Sequence, residues 1–85
     1  MIAAVYKGPG IMDIEEVKTP EVEDPEDILI QVKFSLICGT DIKTFCRGHH
    51  AFTPPVILGH EFAGEVVATG EKVKVCAPGD LVTLP

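Results

Sequence analysis

Gly59-His60-Glu61-Phe62-Ala63-Gly64-Glu65-Val66-Val67-Ala68-Thr69-Gly70 is the stretch on which the fold turns. It opens with a histidine and a glutamate side by side after a glycine. From Phe62 the chain alternates: Phe62, Gly64, Val66 and Ala68 on one side, Ala63, Glu65, Val67 and Thr69 on the other. A period of two is that of a β-strand. His60 therefore stands where a loop enters a strand, a place from which a side chain can converge with others on one point.

Upstream, "HHAFTPP" (His49 to Pro55) reads as an irregular loop, and Pro54-Pro55 allows a cis bond. Before it, Asp41 to Arg47 places Ile42, Phe45 and Cys46 at helical spacing. Thr40 is a candidate cap, Asp41 suits the positive end of a helix and Arg47 the negative end. Gly48 supplies the left-handed residue that stops many helices. A short helix of about two turns is predicted, with Cys46 packed on its apolar face.

Further upstream lies the clearest strand. Ile28, Ile30, Val32 and Phe34 share one face, and Gln31, Lys33 and Ser35 the other, the pattern of a half-buried strand with a polar outer side. Ile2 to Lys7 and Ile11 to Lys18 read as a hairpin around Gly8-Pro9-Gly10. Downstream of Gly70, Lys72 to Val75 is strand-like, "APGD" turns, and "LVTLP" begins another strand. Eight glycines, seven prolines and no tryptophan in 85 residues fit short elements joined by tight turns, in one domain over residues 1–85.

Composition removes several functions. The net charge is −6, the seven Lys and Arg are scattered, and no basic cluster faces a phosphate backbone, so nucleic acid is excluded as a partner. Five of the thirteen acids lie in "PEVEDPED" (Pro20 to Asp27), read as a solvated loop. No apolar run is long enough to span a membrane, and the start has no basic leader. Three cysteines, Cys38, Cys46 and Cys76, fit reduced thiols and a cytoplasmic location. Cys76 beside a turn reads as an incidental free thiol.

The chemistry-bearing residues are Cys38 and His60. Zinc takes thiolate and imidazole ligands, and each of these residues stands at an element end with a glycine beside it, Gly39 and Gly59. The pair alone is a weak signal. The pattern Gly59-His60-Glu61-x-x-Gly64-x-x-x-x-x-Gly70-x-x-Val73, with "CGTD" (Cys38 to Asp41) upstream, "PPVILGHE" and a later "PGDLV", resembles the zinc-containing medium-chain alcohol dehydrogenases over essentially the whole chain.

That resemblance implies a mainly β, GroES-like, partly open β-barrel with one short helix after Cys38, here truncated. It implies that Cys38 and His60 are zinc ligands, and that a third ligand comes from beyond residue 85. Glu61 resembles a glutamate beside the zinc that can approach the metal. Asp41 resembles the acid that orients the ligand histidine, and Thr40 the hydroxyl that takes the substrate's alcohol proton. The implied substrate is a small alcohol or polyol, the implied cofactors zinc and NAD or NADP. His49 and His50 read as solvated loop residues, with the lining of the substrate cleft as the other reading. Lys43 stands where many members carry a relay histidine, which leaves the outer half of the proton relay in question, and Gly39 resembles the polyol and threonine dehydrogenase branch.

No G-x-G-x-x-G follows a strand and opens a helix, so the nucleotide-binding domain is expected outside these residues. A fragment inactive alone, with unpaired strand edges that self-associate, is the resulting expectation. Two alternatives stay open: a zinc-free, quinone-reductase-like member of the superfamily, and a non-enzymatic GroES-like barrel or metal-binding module.

Overall fold

The computed structural model describes residues 1–84 of the chain. The chain forms two compact units, Met1–Thr19 with Ile37–His60, and Pro20–Leu36 with Glu61–Pro85.

In the first unit, β1 (Ile2–Gly8) and β2 (Ile11–Glu16) form the expected antiparallel hairpin, with Ala4 opposite Ile14 and Tyr6 opposite Met12. Pro9 and Gly10 make the turn, and Gly10 takes φ 75°, where a side chain is disfavoured. Helix α1 runs over Gly39–Arg47. Its C-terminal end is tied to the hairpin: Gly10 N–H donates to Phe45 O at 2.6 Å, and a Cβ on Gly48 would lie 3.4 Å from Pro9 Cγ and 3.6 Å from the Tyr6 hydroxyl. Tyr6 also pairs with Val56 through both backbone groups. The small core is built from Val5, Tyr6 and Thr44, all buried.

Two expectations are corrected in this helix. It starts at Gly39 with Cys38 as its N-cap, so Thr40 lies inside the first turn and is not the cap. The face turned inward runs through Asp41, Thr44, Phe45 and Gly48; Cys46 is exposed, and so is Ile42. Thr44 can be buried because its hydroxyl donates to Thr40 O at 2.8 Å, which leaves no polar atom unpaired. A polar residue satisfied by its own helix thus takes the place expected of a thiol.

In the second unit, β3 (Ile28–Leu36), β4 (Glu61–Thr69) and β5 (Leu81–Leu84) form an antiparallel sheet in the order β3-β4-β5. The final Pro85 of "LVTLP" lies outside the described residues. Val66, in the middle of β4, is fully buried. Two bulges interrupt the β3–β4 register, between Leu29 and Ile30 and between Val32 and Phe34. Val32 pairs with Gly64 but Phe34 pairs with Ala63, so the extra residue, Lys33, turns Phe34 to the face opposite Val32. The row Ile28, Ile30, Val32 and Phe34 is therefore split between two faces. It is also not half-buried throughout: Phe34 is 77% exposed and Val32 50%.

Lys72 to Val75 is irregular rather than a strand: Glu71 and Lys72 form a turn closed by Val73 N–H to Gly70 O at 3.2 Å, and Lys72 N–H donates to Pro25 O at 2.9 Å. The acidic loop is more than a solvated run. Asp27 Oδ2 accepts from the amides of Glu23 (3.1 Å) and Asp24 (2.9 Å), and Gly70 N–H donates to Asp27 O at 2.8 Å. The loop is stitched to the turn that ends β4. Among the described residues, no helix is long and apolar enough to cross a membrane.

Candidate metal centre

The first unit gathers four of the five predicted site residues. Cys38 has extended backbone (φ −95°, ψ 156°) and ends the approach to α1. Its side chain then lies at the N-terminal mouth of the helix, where free amides point outward. Asp41, in the first turn, folds back so that Oδ2 accepts from Cys38 N–H at 3.0 Å. The second oxygen, Oδ1, faces His60 Nδ1 at 3.4 Å. Thr40 Oγ1 accepts from the Cys38 thiol at 3.9 Å. His60 follows Gly59, whose φ of 134° suits glycine, and it lies within hydrogen-bonding reach of Cys38.

The electrostatics favour an anionic sulfur. The Thr40 backbone N–H, aimed at the sulfur, lowers the Cys38 pKa most; the His60 side chain and the Thr40 hydroxyl act in the same direction, against a smaller effect of burial. A carboxylate against Nδ1 favours a proton there. One thiolate and one imidazole form a donor set that suits zinc. The side chain of His60 is 41% exposed and that of Asp41 17%, so the histidine is reachable and the carboxylate behind it is sheltered. Among the described residues, no group of three or more His, Cys, Asp and Glu side chains is placed to hold a metal ion.

Glu61 belongs to the second unit. It opens β4 opposite Leu36, half-buried, and lines a surface recess with Phe34, Phe62 and Thr83. His49 and His50 are exposed and stack on one another with ring centroids 4.6 Å apart, and His49 Nδ1 accepts from Ala51 N–H at 3.0 Å. Lys43 is exposed on α1. Cys76 is a half-buried free thiol in a recess formed with Ile28, Ile30 and Val82. Two contributors escaped the sequence reading. The backbone N–H of Cys38 is an anchor for Asp41, and the Thr44 hydroxyl closes the first turn on Thr40. The spacing Cys-x-x-Asp across a helix start was the available signal for the first.

Residues 24–85 match the alcohol dehydrogenase GroES-like domain family. The chain is 38% identical over 85 residues to a D-xylulose reductase of Saccharomyces cerevisiae, with 96% of this chain and 24% of that protein aligned. It is 38% identical over 82 residues to a zinc-type alcohol dehydrogenase B of Aspergillus flavus, covering 96% of this chain and 19% of the relative. Among solved structures, galactitol-1-phosphate dehydrogenase from Escherichia coli superposes with a TM-score of 0.86 at 32% identity, over 98% of this chain and 24% of that one. The chain thus spans about a quarter of the length of the relatives it matches. The mainly β architecture with one short helix superposes on about a quarter of the galactitol-1-phosphate dehydrogenase chain, and this chain belongs to the alcohol dehydrogenase GroES-like domain family.

Proposed function

We propose that this chain carries the zinc-holding and proton-accepting part of a zinc-dependent dehydrogenase of alcohols or polyols, with NAD or NADP as the hydride acceptor in the whole enzyme. The observation that carries the reading is the convergence of Cys38 and His60, with the Asp41 carboxylate behind the ring. The family membership and the names of the relatives support the reaction class.

Cys38 Sγ and His60 would hold the zinc, which when bound supplies Lewis acidity to an alcohol oxygen. Asp41 keeps the His60 proton on Nδ1. Thr40 Oγ1, exposed and 3.9 Å from the Cys38 sulfur, would accept the proton of the substrate hydroxyl and pass it outward. Glu61, which follows His60 directly, is assigned as a carboxylate neighbouring the metal or as an alternative ligand.

Metal analysis of the purified protein tests this. One zinc per site is expected, with Cys38→Ser and His60→Ala each weakening zinc binding by about tenfold or more. Protein free of zinc, with no difference in metal content between the parent and either variant, would instead support the zinc-free, quinone-reductase-like reading.

A further inference from the structure

We infer that Asp41 positions both metal donors at once, through a different oxygen for each, so that the start of helix α1 and the donor pair form one unit before any metal arrives. This rests on the metal reading above, but its own test is made without metal.

The geometry is specific. Oδ2 accepts from the Cys38 backbone N–H at 3.0 Å, and Oδ1 faces His60 Nδ1 at 3.4 Å. Cys38 is the helix N-cap, so the first contact fixes the dihedral angles from which its sulfur projects. The second restrains the ring and its proton. A carboxylate has acceptor capacity on both oxygens and can serve both without competition. The side chain is 17% exposed, so water competes weakly for either oxygen. The negative charge also sits at the positive end of α1, which favours the arrangement. An acid that oriented only the histidine would have no need to lie three residues after the cysteine, inside the first helical turn. That position is what lets one side chain reach back to the Cys38 amide.

The consequence is reciprocal. Loosening the helix start displaces the sulfur, and loss of the carboxylate loosens both donors together. Metal held by Cys38 and His60 should in turn protect the first turn of α1.

Two substitutions separate the roles. Asp41→Asn keeps an oxygen able to accept from the Cys38 amide, but its NH2 group presents a donor to His60 Nδ1 and drives the proton to Nε2. Asp41→Ala removes both contacts. In metal-free protein, hydrogen exchange at the Cys38 amide is expected to accelerate about tenfold in Asp41→Ala and to change little in Asp41→Asn. Ring ¹⁵N shifts of His60 should report the Nδ1–H tautomer in the parent and the Nε2–H tautomer in Asp41→Asn. Exchange at the Tyr6 amide, in the core, serves as the folding control. Unchanged Cys38 exchange in Asp41→Ala, with the Tyr6 amide still protected, would overturn the shared role. Correct exchange and tautomer results with no zinc uptake by the parent would leave the strut standing and overturn the metal reading instead.

Discussion

Asp41 and Asp27 are both acids that reach back to an amide three residues before them, and neither role is visible in a count of charges. Asp27 accepts from the amides of Asp24 and Glu23, and these two contacts lower its carboxyl pKa from the ordinary 3.8. A carboxyl depressed in the folded state contributes stability that is complete above the unfolded value and is lost as pH falls through the folded value. Unfolding titrations below about pH 4 should therefore show a loss of stability that Asp27→Asn flattens. A variant with the parent's slope across that acid range would remove Asp27 from the account. The acidic run was legible as charge. Its use as a hydrogen-bonded knot was not, because that depends on Pro25 and Asp27 meeting Lys72 and Gly70 from far along the chain.

At the level of elements, the strands follow their sequence where nothing interrupts the ladder. The hairpin, the helix and the core of β4 were legible from period and turn residues. The bulge at Lys33 was not, since alternation in one strand says nothing of how many residues oppose it. Glycine shows the same division. A Cβ on Gly64 would lie 2.7 Å from Ile30 Cγ2 and 3.0 Å from the Gln31 carbonyl carbon, with Gln31 O closer still, and one on Gly70 would strike the backbone of Asp24 and Pro25. Backbone cannot step aside as a side-chain end can. Gly64→Ala and Gly70→Ala should each destabilise by about 1–3 kcal/mol, seen as a lower midpoint in thermal or urea unfolding. Gly39, with nothing within 4 Å, is the control, and Gly39→Ala should leave stability unchanged or slightly raised. Equal midpoints for all three variants would show that the close approaches carry no weight.

For the whole molecule, the sheet order leaves one edge of β3 and one of β5 unpaired within their sheet, and Phe34, Leu36 and Leu81 are exposed on those strands. Unpaired edges with apolar side chains recruit other strands. The 85-residue chain on its own should associate with a second copy as its concentration rises, read by sedimentation velocity. A single monomeric species at all concentrations would defeat this expectation.

The sequence by itself determined the residue types that can do chemistry and the local conformations that present them. Thiol, imidazole, carboxylate and hydroxyl are covalent facts, and alternation, caps and turn glycines act over a few residues. Tertiary structure alone decided that one oxygen of Asp41 serves Cys38 and the other faces His60, that Thr44 is buried while Cys46 is exposed, and that Phe34 leaves the face of Val32. The reason is range: propensity belongs to a residue and its neighbours, whereas burial and hydrogen-bond partners depend on which distant segment arrives to cover or to pair with it.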